Sequence, residues 1–248
     1  MEELLVHEHI HRNRHGAEVR EDSFLQGVKD CVPTLLGYLS IGFAAGVVGH
    51  TSGLSIVEIT FMSLLIYAGS AQFILAGMVA SHGSAAAMML TVFIVNLRHL
   101  LLSAALSPYF RHLTPLKAML IGSLLTDETF GVAMNKVAGR NHIGEQWMHG
   151  LNVTAYLHWL AATLAGAFLG QWITNPAKLG LDFALASMFI GLLVLQMASR
   201  RKWVKDLAVA VCAVVIVVGA SIALSGSVAV IVATVAAATL GMAVDKWK

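Results

Sequence analysis

Asp127 and Glu128 stand side by side in SLLTDETFGVAM, Ser123 to Met134, within an apolar segment of a chain whose charged residues make up only 12%. An acid at the centre of a membrane helix costs about 2.5–3.5 kcal/mol on insertion scales, so two in succession point to a functional need. The preceding segment, VFIVNLRHLLLSAALSP, supplies Asn96, Arg98 and His99. A helix rises about 1.5 Å per residue, which places Arg98 roughly 14 Å from the segment end near Ser107 and Asp127 roughly 17 Å from the next start near Leu116. These depths differ by less than one turn, and the short connection PYFRHLTP makes the two segments antiparallel neighbours. Arg98 is therefore within reach of Asp127 or Glu128. One guanidinium fork serves one carboxylate, and adjacent helical side chains point about 100° apart, so one acid is left over. A carboxylate without a cation in low dielectric favours a bound proton, which makes it a candidate proton carrier or ammonium ligand.

Two further stretches aim polar groups at the same depth. In LIYAGSAQFILAG, Gly69 and Ser70 interrupt an apolar run, with Tyr67 and Gln72 flanking the interruption. Small and polar pairs let a membrane helix unwind and offer backbone amides and carbonyls to a substrate; the same pair also suits close approach of another helix, and both readings stand. HGLNVTAYLHW supplies Asn152, Thr154, Tyr156 and His158 on more than one helical face. His158 can relay protons, or simply bond a neighbouring carbonyl or tyrosine. Four consecutive stretches with polar groups at one level suit a transport site at mid-membrane better than a scaffold.

The elements that must position these groups are membrane helices. The chain of 248 residues is 57% hydrophobic, and its mean hydropathy of +0.75 lies outside the range of ordinary soluble domains. Eight apolar windows recur, at 33–50, 54–80, 85–107, 116–135, 151–173, 181–199, 207–224 and 227–244. Their length fits helices crossing about 30 Å of hydrocarbon, and strand-like alternation is absent. The expected architecture is all-α and polytopic, with eight transmembrane helices and a broken second one. The count falls to seven if Ala223–Val230, with its Ser-Gly-Ser, is a kink rather than a turn.

Residues 1–29 read as a polar, His-rich cytoplasmic tail without a cleavable signal, and 30–248 as a single transport domain. With the amino terminus inside, twelve basic residues fall on the cytoplasmic side, SRRKWVKD (Ser199–Asp206) foremost among them. Arg111, Lys117 and Lys178 fall outside, a bias that satisfies the positive-inside rule. The last two windows are almost pure Ala, Val, Ile and Gly and read as scaffold. GYLSIGFAAGVVG in the first window faintly echoes AGAFLGQW in the fifth, too briefly to establish a repeat.

Several function classes recede on these observations. Cys31 and Cys212 form no metal-ligand spacing, and the histidines of the tail read as a solvated segment or an amphipathic interfacial helix. No metal, cofactor or nucleic-acid partner is expected. HExxH and GxSxG are absent, which argues against an enzyme. A channel would show a polar stripe along whole helices rather than one belt.

Five stretches in order, GYLSIGFAAG, YAGSAQF, NLRHLLLSAALSP, LTDETFGVA and GLNVTAYLHW, resemble the AzlC (azaleucine-resistance) family of branched-chain amino-acid permeases. The likeness runs from about Asp30 to Gly170, and the last third carries only compatible hydropathy. It implies an exporter of leucine, isoleucine, valine and their analogues in a bacterial cytoplasmic membrane, working with a small AzlD-type subunit. On that reading a zwitterion finds its carboxylate partner in Arg98 or in amides freed at Gly69–Ser70, and its ammonium partner in Asp127 or Glu128. The remaining acid carries a coupling proton. The rival is a permease subunit of an ATP-driven importer, but the inner loops lack the coupling motif such a subunit carries.

Overall fold

The structure, a computed structural model, describes residues 22–137, 142–173 and 203–223, with isolated positions between 178 and 197 and between 235 and 243. Most of the His-rich tail, the Ser-Gly-Ser stretch and most of the sixth and eighth windows lie outside the described residues. The chain divides into two units, Met1–Met188 and Phe189–Lys248, and every residue of the polar mid-membrane belt described above belongs to the first. Among the described residues every element is helical, as expected. In the second unit, Trp203–Ala223 is one continuous apolar helix, long enough to cross a membrane.

The first unit is built on two long helices, α1 (Phe24–Thr51) and α7 (Glu145–Gly170). Their contacts rise together in number: Gly27 meets Trp147, Gly42 meets Ala162, Gly46 meets Thr163, and Val47 meets Gly170, so the two run parallel. Backbones touch along this seam. A Cβ added to Gly46 would overlap the Thr163 carbonyl, and one added to Gly166 would overlap the Phe43 carbonyl. Lipid tails offer apolar side chains no drive to associate, so close backbone packing through small residues is what joins membrane helices.

Between α1 and α7 the chain makes two hairpins and one crossing. The first hairpin is α2 (Ile56–Leu65) followed by α3 (Gly69–Ala80). Gln72 Nε2 donates to Ser63 Oγ at 3.4 Å, and Ala76 joins Leu54, Ile59 and Ala167 in one apolar cluster. Nine residues of straight helix would separate Ser63 from Gln72 by about 13 Å, so α3 doubles back along α2. Both ends of this hairpin lie at the carboxyl-terminal ends of α1 and α7, where Gly49 meets Ile59. Next, α4 (Ala85–Leu106) runs antiparallel to α1 and α7 and closes with a 3-10 turn, Ser107–Phe110. Its far end reaches the start of α7, where the Ile143 N–H donates to the Tyr109 carbonyl at 3.4 Å.

The second hairpin is α5 (Pro115–Ser123) followed by α6 (Asp127–Lys136). Lys117 pairs with Glu145 at 2.8 Å, and Lys136 lies 4.0 Å from Asp30, so both arms end near the amino-terminal ends of α1 and α7. The hairpins thus enter from opposite ends, each after one long helix, with their tips meeting in the middle. This is an inverted-topology arrangement.

The second window is broken, as expected. The fourth is broken too, at 124–126, and neither window is one continuous helix. Among the described residues four helices are long and apolar enough to span a membrane: α1, α4, α7 and Trp203–Ala223. Arg111 and Lys117, expected on the outer side, lie instead at the end where α1 and α7 begin. Hydropathy measures apolar length but carries no direction, so a hairpin of two short helices passes for one crossing.

Candidate functional site

The first tip, 66–68, turns on Tyr67, whose φ of +43° lies in the left-handed region. That conformation costs a non-glycine residue about 1–2 kcal/mol, and such strain persists where its surroundings hold it. It starts α3 from Ala68 with no side-chain cap, so the first N–H groups of α3 face the tip unsatisfied by the helix. Gly69 follows because a Cβ there would lie 2.8 Å from the Trp159 ring.

The second tip, 124–126, starts α6 in the opposite way. The Thr126 hydroxyl accepts from the Thr129 N–H, and the Thr129 hydroxyl accepts from the Thr126 N–H at 2.9 Å. This capping box satisfies the Thr129 N–H of α6 and the N–H of Thr126 itself, and Asp127 and Glu128 then occupy the first turn, where the helix dipole favours acids.

The two acids have different surroundings. Asp127 Oδ2 lies 2.7 Å from Arg98 Nη1, one of the two pairings that depth left open. Glu128 has no ion pair among the described residues. Its Oε2 accepts from the Tyr38 hydroxyl at 3.1 Å, and Tyr38 shares a 2.5 Å hydrogen bond with the Thr126 hydroxyl. Both acids, Arg98, Tyr38, Tyr67, Gly69 and Trp159 border one cavity between the tips. Its volume is about 10 Å³, room for a single water.

Donors face acids across this cavity. On the side of the first tip, the Tyr67 hydroxyl and the Trp159 indole N–H line the cavity, are buried and make no hydrogen bond among the described residues; the buried Ser70 hydroxyl, also without one, is not on the lining. Trp159 also stands edge-on to Tyr38 with ring centroids 5.8 Å apart. The arrangement offers a polarised, donor-rich wall and a carboxylate without a cation, the two things a zwitterion needs.

The other expected residues stand apart from the cavity. Gln72 bonds Ser63, which in turn donates to Thr163 at 3.0 Å. Asn96 borders a separate apolar groove beside Ile66, Leu75 and Val92. Asn152 Nδ2 donates to the Ile121 carbonyl at 2.9 Å, and the Tyr156 hydroxyl donates to the Leu64 carbonyl at 3.0 Å. His158 is half-buried, with no hydrogen bond to its Nε2 among the described residues. Sequence reasoning passed over Tyr38, Thr126 and Trp159. For Thr126 a signal existed, since Thr-x-x-Thr before a helical run is the spacing of a cap rather than of a helix interior.

The family described as "AzlC protein" matches residues 33–173, a span that contains both hairpins and the cavity. "Inner membrane protein YgaZ" of Escherichia coli is 32% identical over 184 residues, covering 72% of this chain and 75% of that protein. An "Uncharacterized membrane protein" of Archaeoglobus fulgidus is 28% identical, covering 72% and 78%. "Branched-chain amino acid transport protein AzlC" of Bacillus subtilis is 27% identical, covering 69% of this chain and 66% of that protein. No solved structure matches the chain. A family match over more than half the sequence, joined to long apolar helices and relatives named as membrane proteins, makes this chain a multi-pass membrane protein that belongs to the AzlC family.

Proposed function

We propose that this chain carries branched-chain amino acids (leucine, isoleucine, valine and their analogues) out across the bacterial cytoplasmic membrane in exchange for protons, together with a small AzlD-type subunit. The observation that carries the reading is the cavity in which an uncapped helix start faces Glu128. Arg98 already holds Asp127 at 2.7 Å, which turns the substrate carboxylate toward the α3 amino terminus, with the Tyr67 hydroxyl and the Trp159 N–H beside it. The ammonium goes to Glu128. Proton and ammonium then compete for one carboxylate, and that competition couples inward proton flow to outward amino-acid flow. A cavity with room for one water cannot hold leucine, so this is a closed form, and one hairpin must withdraw before a substrate enters. The amino terminus lies in the cytoplasm on this reading, which places Arg111 and Lys117 inside as well and strengthens the positive-inside bias.

Counterflow of labelled leucine in vesicles containing the chain, with and without its small subunit, tests the proposal. Isoleucine and valine compete, whereas 3-methylbutylamine and 4-methylpentanoate, which each keep one charged end of leucine, compete at least tenfold less well. Equal competition by either single-ended analogue, or no leucine counterflow in both preparations, contradicts it.

A further inference from the structure

Asn152 and Tyr156 sit one turn apart on α7, and each donates to a carbonyl in the last turn of a first arm: Ile121 in α5 and Leu64 in α2. Last-turn carbonyls lack the i+4 partner of a helix interior, and although Ile121 also accepts from the Leu124 N–H at 3.4 Å, a side-chain donor from a neighbour ties the arm to that neighbour. The positions correspond between the two hairpins, Leu64 two residues before the tip at 66 and Ile121 three before the tip at 124. Asn152 is fully buried, and the Tyr156 ring packs edge-on against Tyr67 at the first tip, with centroids 4.9 Å apart.

We propose that Asn152 and Tyr156 are positioning residues that hold the two tips closed against α7 as separate clamps of opposite sidedness. Tyr156 restrains the first hairpin, which closes the cavity toward the carboxyl-terminal ends of α1 and α7. Asn152 restrains the second, which closes it toward their amino-terminal ends. Loss of one clamp therefore opens one end only. The two hairpins are not equally held. The second is tied at its base by Lys117 to Glu145 at 2.8 Å and by Lys136 near Asp30, which also accepts from Trp147 Nε1 at 2.8 Å. The base of the first rests on the apolar cluster around Ile59 and Ala76. Loss of the Tyr156 clamp consequently has the larger effect. The inference rests on the transport reading only in taking each hairpin as a gate, and its test needs no substrate.

Two thiols report on the two ends. Native Cys31, fully buried beside Asp30 near the start of α1, lies in the cluster that holds Ala133 and Val137 of the second hairpin together with Tyr67 and Phe73 at the first tip, and Ala76→Cys places a thiol where Ala76 is 1% exposed in the first. With the exposed Cys212 replaced by alanine, alkylation by a small water-soluble methanethiosulfonate is timed at each position in purified protein. Tyr156→Phe speeds labelling at position 76 about fivefold, the factor of one net hydrogen bond, and leaves Cys31 unchanged. Asn152→Leu does the reverse, by a smaller factor. General loosening of the fold would speed both positions together, and that result under either variant, or no change under both, overturns the proposal. If Asn152→Leu fails to fold, Tyr156→Phe decides alone: a rise at Cys31, or at neither position, refutes the assignment. Failure of leucine counterflow would leave the labelling result standing, and the converse also holds, so the two readings fail separately.

Discussion

Arg98→Ala destabilises the folded chain by about 3 kcal/mol, and a second substitution restores most of that loss. Removing one member of a buried ion pair leaves the other charge without compensation, which costs about 3–5 kcal/mol, whereas replacing both with apolar residues is often neutral or better. The side chains of Arg98 and Asp127 retain 23% and 18% of their exposure, which sets the expected cost at the lower end of that range. Thermal unfolding of the single Arg98→Ala and of the double Arg98→Leu with Asp127→Leu checks this. The double variant unfolds at a higher temperature than the single. If the double is as unstable as the single, the 2.7 Å contact is not the reason Arg98 is needed.

The second large effect lies in the seam between α1 and α7. Gly166→Val leaves no folded protein, and Gly166→Ala costs about 1–3 kcal/mol, because a Cβ there runs into the backbone of Phe43, which cannot rotate away as a side chain would. Gly37, on α1 itself, is the control. A Cβ at Gly37 meets nothing within 4 Å, so Gly37→Ala follows helix propensity alone and gains up to about 1 kcal/mol. Opposite signs at two helical glycines, read as shifts in unfolding temperature, separate close packing from propensity. The same sign at both would mean that the seam does not hold the two helices together.

Depth bookkeeping on the sequence was enough to bring Arg98 level with Asp127, because helical rise is fixed and a short loop leaves neighbours little choice. That Glu128 would be the acid without a cation was not legible. It follows from the break at 124–126, where Thr126 and Thr129 cap a new helix and turn the two acids into different surroundings. The break near Gly69 was legible, since glycine and serine stand out in an apolar run. The second break was hidden by Leu124 and Leu125, which are as apolar as their neighbours. The doubling back of each window escaped for another reason: it is recorded in contacts such as Ser63 with Gln72 and Lys117 with Glu145, and no local pattern encodes them. Likewise the polar character of Asn152 and Tyr156 was plain, but their partners are backbone carbonyls of other helices, and a carbonyl has no letter in the sequence.

The central claim is that proton and substrate ammonium share Glu128 while Asp127 stays with Arg98. Calorimetric titration of leucine into the purified chain, in two buffers of different ionisation enthalpy, counts the protons exchanged on binding. The account predicts that leucine binding releases a proton in the native chain and in Asp127→Asn, and releases none in Glu128→Gln. Proton release that survives in Glu128→Gln, or that vanishes in Asp127→Asn while leucine still binds, would contradict it.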